Sequence, residues 1–517
     1  MKKNISVLLI VLMTCFSAFS QTKTLENITK VRSRNFSPIL ENGEVKGYTV
    51  FYELDKVNKK QKSFGISFLD NSLNEIGNSE FIESKDLYYL SGCFNGKSIL
   101  LKFYDRKAKH VVLRRFDLKG NDISREILAV SSYERMVLST LISGAKDEAT
   151  PTIQGIKNNG FVNYGYSADH KYSSEITYIP EDKNAKGWKL SKTSKQKGIE
   201  FAAFLCENNG ILINILMKRP GIMSKKSENF IHGIDIKTGK SLFENSLSTY
   251  KYNLSPSIAN ALDNGNVEVY GAYYKKEDKQ YKSNSLGFFS LILDNKGEIV
   301  QEKYNSWAKD VSKHLSVSAN NGKLEGGFFV YIHKIIKDEA GNTYVIGEQF
   351  KKSVSALGVA GKLLSAASGN VNSNVSAMKI VIEDMMVFKL DKNFELTAVK
   401  IIDKEKTNVS LPEGYGTVST IMLGHACKGF GSFDYAFTQK NSVKGDITII
   451  YEDAKGGVKT LGVISILDGE ISSTKTKLTK EKKTIYSIFN AKPGYALFFE
   501  YKYKLKEVDL RLEKLNY

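Results

Sequence analysis

Phe201-Ala202-Ala203-Phe204-Leu205-Cys206-Glu207-Asn208-Asn209-Gly210-Ile211-Leu212-Ile213-Asn214-Ile215-Leu216-Met217 reads as an apolar segment, a turn and a second apolar segment. Asn and Gly accept the positive φ of a tight turn, so this is a hairpin signature. After a polar gap the chain is apolar again over 230–236. It turns at Lys237-Thr238-Gly239 and leaves through Leu242-Phe243. The stretch predicts four short strands in an up-and-down meander.

The same unit recurs along the chain. An Asn-Gly or related turn ahead of alternating apolar residues occurs at Gly43, Gly96, Gly160, Gly210, Gly265, Gly341 and Gly494, and less cleanly at Gly431. A second signal, an apolar strand ending in Leu-Asp or Asp-Leu before a further turn, follows at Leu69-Asp70, Asp117-Leu118, 180–182, Asp235-Ile236, Leu293-Asp294 and Leu390-Asp391. It is weak at Glu452-Asp453. A fixed strand order at a period of roughly fifty to sixty residues predicts an all-β fold, a β-propeller of four-stranded antiparallel blades. The count is eight blades, with seven the alternative because the repeat near Gly431 is irregular. The last repeat has only three strands before the chain stops. The stretch 24–31 is therefore expected to supply the missing strand, which closes the ring and removes an exposed edge.

Two connections break the period. Residues 305–327 carry Trp307 and a short helical pattern over 308–314. Residues 353–378 are rich in Ala, Gly, Ser and Val, with Val354, Leu357, Ala360, Leu364 and Ala367 at helical spacing and Leu363 alongside. This insertion reads as a helical flap packed on the ring. The alternative is a partner or membrane contact, with Leu357, Leu363 and Leu364 as the contact residues.

The first twenty residues read as a cleaved signal peptide. Lys2 and Lys3 precede an apolar run from Val7 to Met13, and Ala18-Phe19-Ser20 precedes Gln21. Leu12-Met13-Thr14-Cys15 approaches a lipoprotein box, but Thr14 occupies a position where a smaller residue is usual. The expected mature chain is one propeller domain over 21–517, exported to the periplasm or the outer surface. No later apolar run is long enough for a transmembrane helix. The formal charge of +18 suits an anionic partner, or reflects lysine as the ordinary solvating residue. Nucleic acid is not expected, since no basic block is interleaved with aromatic residues.

Cys93, Cys206 and Cys427 remain after the signal. Each is read as ending the first strand of a repeat, where Leu40, Ile156, Leu262, Ile336 and Phe489 stand elsewhere. They are expected to be buried, unpaired thiols.

The pattern 47–53 (Gly-Tyr-Thr-Val-Phe-Tyr-Glu), followed by Ile66-Ser67-Phe68-Leu69-Asp70 and the Ser20-Gln21 junction, resembles a family of uncharacterised exported β-propeller-like proteins of Bacteroidota-type bacteria. The resemblance implies no activity and no site residue.

Linear catalytic signatures are absent. There is no Gly-x-Ser-x-Gly elbow and no His-Glu-x-x-His pair. The near-matches to a phosphate loop at 233–241 and 92–98 have the wrong spacing and a strand-turn-strand context. His425 and Cys427 would share a face if on a strand, which makes a packed pair a better reading than a metal site. The aspartates of the Leu-Asp turns read as turn formers that accept backbone N–H groups. No catalytic residue, cofactor or metal is assigned. The function expected is a non-catalytic binding or scaffold protein of the cell envelope, with an envelope protein or anionic glycan as partner. The alternative is a hydrolase or lyase acting on acidic glycans at the channel mouth.

Overall fold

A computed structural model describes residues 21–515 apart from 42, 145–151, 168–172, 192–197, 222–226, 248–250, 279–282, 316–321, 356–374, 413–417, 430, 442–443, 456–457 and 479–483. Eight antiparallel sheets follow one another along the chain, so the eight-blade count holds. Blades one to five span 36–84, 87–129, 153–191, 199–246 and 253–306. Blades six to eight span 329–412, 435–477 and 485–514.

The opening hairpin appears as Ile199–Asn208 paired with Ile211–Arg219, followed by Glu228–Asp235 and Ser241–Ser246. Its turn has Asn209 at φ 49° and Gly210 at φ 80°, the conformation that the Asn-Gly pair was expected to supply. The closing strand is Gln21–Leu25, three residues ahead of the expected start. It pairs with Glu507–Lys514, from Gln21 opposite Leu512 to Leu25 opposite Val508. Ile28 and Val31, just beyond it, are buried against blades eight and one.

Among the described residues each seam between neighbouring blades holds its own apolar cluster. Phe51, Phe64, Phe68, Phe103 and Phe116 fill the seam of blades one and two. Leu25, Ile28, Tyr48, Leu497 and Leu510 fill that of blades eight and one. Polar clamps reinforce five successive seams by reaching the third-to-fourth-strand turn of the next blade. Arg115 donates to the Pro180 and Glu181 carbonyls (3.0 and 2.9 Å), and Trp188 Nε1 to that of Ile236 (2.6 Å). Asn245 donates to Gly297, Asn305 to Phe394, and Lys389 to Gly469. Third-to-fourth-strand turns elsewhere in the ring are held internally by aspartate, as expected. Asp70 Oδ1 accepts from the N–H of Ser72 and Asn74 (2.8 and 2.9 Å), and Asp117 Oδ1 from Lys119 and Asn121 (2.9 Å each).

Several expectations are corrected. Cys427 does not end a strand. It lies in helix α2 (Thr420–Gly429), whose first turn is capped by Ser419: its hydroxyl accepts from Met422 N–H (3.3 Å). Helix α1 is Ser132–Gly144, between blades two and three. Blade seven begins after α2, at Tyr435–Lys440. Its first turn contains Gly445 (φ 75°), not Gly431, and its third strand ends at Leu467 beside Asp468, not at Glu452-Asp453, which sit in its second strand. Two residues apart on a helix, His425 and Cys427 point to different sides. Cys427 is buried, and His425 lies beside the Tyr331 ring. All three cysteines are free thiols. Cys206 and Cys427 are buried and Cys93 is half-buried, its thiol pushed up by desolvation. Leu40 is exposed at 45%, because it lies on the opposite face of its strand from the buried Ile39.

The ends of the 353–378 insertion are strand, not helix. Thr343–Val354 and Val375–Leu390 form a long hairpin in blade six, and Thr407–Pro412 adds a fifth strand to it. Leu357, Leu363 and Leu364 lie outside the described residues, as does the 1–20 segment. The 308–314 helical pattern appears as a short 3-10 turn, Val311–Lys313, beside the buried Trp307.

Candidate binding site at the hub

The first strands of neighbouring blades lie beside one another, so they face the hub, while fourth strands such as Glu470–Lys477 are mostly exposed at the rim. One sector of the hub opens into a cavity of about 730 Å³. Its walls come from the first strands of blades seven and eight (Tyr435–Lys440, Ile485–Asn490), from Pro38 of blade one, and from the blade-six extension through Thr407, Asn408, Ser410 and Lys428. The volume falls within the range of about 300–1,000 Å³ usual for small-ligand sites. Five rings line it, those of Phe433, Tyr435, Phe437, Tyr486 and Phe489.

The extension is built to stand against this cavity. Leu423, Gly424 and Cys427 of α2 are buried, packed with Phe350, Ile380 and Ile382 of the long hairpin and Leu411 of the fifth strand. A Cβ on Gly424 would lie 2.6 Å from the Phe350 ring, so glycine allows the close approach.

Behind the wall lies a buried charge cluster joining blades six and seven. Glu348 and Lys404 have side chains wholly enclosed, with Glu348 Oε1 to Lys404 Nζ at 3.2 Å. Lys404 Nζ also donates to Asp434 Oδ2 (2.6 Å), which accepts Thr407 Oγ1 as well (2.8 Å). Glu348 Oε2 meets His333 Nε2 at 3.2 Å and accepts from Tyr435 N–H. The His333 ring stacks on Tyr435 with centroids 4.6 Å apart. Burial raises the Glu348 carboxyl, against the opposing pull of Lys404. Burial, reinforced by Glu348, pushes Asp434 up to about 6, with Lys404 and Thr407 acting the other way. Burial tends to lower Lys404, but its two carboxylate neighbours outweigh that and raise it. The ammonium is therefore held as a cation between two carboxyl groups.

Nearer the rim, Lys459 pairs with Glu452 (2.9 Å) beside the Tyr486 ring, and Lys428 lies 5.4 Å from the Tyr435 ring. Among the described residues no group of three or more His, Cys, Asp or Glu is placed to hold a metal ion. No described helix is long and apolar enough to cross a membrane.

None of Glu348, Lys404 and Asp434 was singled out from sequence. Glu348 alone left a signal, a lone acid inside the apolar run 343–350. Lys404 is lost in the charged run 403–406.

A family model matches residues 1–516. The chain belongs to DUF6770, a family of unknown function. Solved structures similar to this DUF6770 chain include the β-propeller domain of the Trilobed protease from Pyrococcus furiosus. It is 11% identical, covering 86% of this chain and 99% of that one, with a TM-score of 0.37. Prolyl oligopeptidase B from Galerina marginata is 9% identical over 94% of this chain and 56% of its own, at 0.41. Porphyromonas gingivalis dipeptidyl peptidase 4 is 10% identical over 92% and 56%, at 0.38. The chain thus spans little more than half the length of these two peptidase chains. A search of curated proteins finds no match.

Proposed function

We propose that the protein is an exported, non-catalytic binding protein of the bacterial cell envelope and that its ligand sits in the hub cavity. The observation that carries this reading is the state of the charges in the cavity wall. Glu348 and Lys404 are enclosed, and Asp434 Oδ2 is engaged by Lys404 and Thr407. Glu348 and Lys404 are committed to one another behind the wall and Asp434 is tied to them through Oδ2, whereas a catalytic acid and base must both reach the substrate. Export is supported by the basic, apolar and small-residue pattern of 1–20, and an envelope setting by the likeness of the 47–70 pattern to exported proteins of Bacteroidota-type bacteria. The mature chain then starts at Gln21, whose strand closes the ring.

The test is a thermal-shift and calorimetric screen against neutral oligosaccharides, anionic polysaccharides and short peptides. Ser487 lines the cavity, and Ser487→Trp fills it. Binding that disappears in this variant, while the unfolding midpoint is kept, supports the reading. Binding indifferent to the filling overturns it. Turnover of an anionic polysaccharide would replace it with the hydrolase or lyase alternative, for which the raised Asp434 carboxyl would be the acid to mutate first.

A further inference from the structure

The hub cavity has a polarity that selects among ligands. Asp434 lines it, and its Oδ2 is taken by Lys404 and Thr407. Its Oδ1 accepts no hydrogen bond among the described residues, which leaves a carboxylate acceptor at the wall. Asn490, on the blade-eight side, is also in the lining, but its side-chain oxygen is enclosed and does not face the open space. A carboxylate oxygen that no protein group donates to favours a ligand that brings donors.

Those donors are best carried without charge. Lys428 and Lys459 are balanced in the same lining by Asp434 and Glu452, with Lys459 paired directly to Glu452, so the wall carries no excess charge to draw a cation or an anion. The remaining surface is aromatic ring and small hydroxyl or amide groups: Tyr435, Tyr486 and Phe489 with Ser410, Ser432 and Ser487. Uncharged donors next to apolar C–H surface describe a sugar, whose hydroxyls donate and whose ring faces lie against aromatic side chains. We propose that the cavity takes a neutral saccharide, with Asp434 Oδ1 accepting from its hydroxyls. This rests on the hub-binding reading above.

The experiment is titration calorimetry of the full chain with neutral gluco-, manno- and xylo-oligosaccharides, against oligogalacturonate and a short neutral peptide as comparators. The expected result is binding of at least one neutral series. Asp434→Asn should weaken it by about tenfold to a hundredfold, the loss of one hydrogen bond to a carboxylate, and Ser487→Trp should abolish it. Ser487 lies outside the Lys404 pairings, so its variant keeps the test valid if Asp434→Asn disturbs the wall. Binding of neutral sugar that ignores both variants overturns the proposal. Preference for oligogalacturonate or the peptide, abolished by Ser487→Trp, overturns the ligand class while leaving the hub as the binding site. No binding sensitive to Ser487→Trp overturns both.

Discussion

Asp434 shows how one buried carboxyl ties a seam to the pH. Its ordinary value is near 3.8, and burial followed by the neighbouring Glu348 pushes it up to about 6 in the fold. Between these values the folded chain keeps a proton that the unfolded chain has released. Linkage then gives the sign: the contribution is fully present below about pH 4 and is lost as pH rises through about 6. Across that window the group accounts for up to about 3 kcal/mol of lost stability, at about 1.4 kcal/mol per pH unit of separation. Glu348 is raised as well and adds in the same direction. Asp434→Asn removes one of the two contributions. Unfolding midpoints of wild type and variant, measured from pH 4 to 7, should therefore diverge in the variant's favour as pH rises. A gap that stays constant across the range would show that Asp434 is not the titrating group. The turn aspartates respond oppositely. Hydrogen bonds from Thr238 hold Asp235 below the usual carboxylate range, so what it contributes is lost as the pH falls towards acid.

At the scale of strands and helices, local turn chemistry could be read from the residues and tertiary packing could not. The seven cleanly marked glycines all have positive φ, from 79° at Gly494 to 144° at Gly160. Strands Ile199–Asn208, Ile211–Arg219 and Glu228–Asp235 lie where the apolar segments of 201–217 and 230–236 placed them. What failed was alternation through irregularities. An extra residue interrupts the first strands of five blades, for example between Tyr89 and Ser91 and between Phe204 and Cys206. Each breaks the two-residue period, so equal distance from the turn does not mean the same face, and Leu40 faces solvent where Cys206 is buried. The run 418–427 failed differently, because a short apolar segment fits strand or helix equally and only packing on Phe350 decides. The hub site was invisible for a related reason: Glu348, Lys404 and Asp434 come from separate elements, and no spacing links them. Close approach between elements is likewise hidden in sequence until it is tested. Gly77, in the fourth strand of blade one, faces the third-strand turn of blade two. A Cβ there would lie 2.3 Å from the Lys119 carbonyl carbon and 2.5 Å from the Leu118 oxygen, both backbone atoms. Gly77→Ala should therefore cost about 1–3 kcal/mol as overpacking, read as a lower urea midpoint. A change within about 0.5 kcal/mol would mean that this seam yields freely.

Over the whole molecule, stability depends on each seam having both of its walls. Seven seams join blades whose strands are consecutive in the chain, and the eighth relies on the pairing of Gln21–Leu25 with Glu507–Lys514. That seam is more than a backbone ladder. Leu25, Ile28 and Val31 pack with Val508, Leu510 and Leu512. Tyr501 donates to the Ile28 and Thr29 carbonyls (3.1 and 2.9 Å), and Thr24 to Asp509 Oδ1 (2.7 Å). Burying each of the three aliphatic side chains is worth about 1.5–3 kcal/mol, which in sum is comparable with the net stability of a typical domain. A chain beginning at residue 32 should then lose cooperative unfolding and expose the 507–514 edge, a template for intermolecular pairing. Supplying a synthetic peptide of residues 21–31 should restore the unfolding transition in proportion to its concentration, since the ligand binds only the closed ring. Unfolding curves and sedimentation of the truncated chain, with and without peptide, decide the matter. A truncated chain that stays monomeric with an unchanged midpoint would mean that the ring is held shut by its seven other seams.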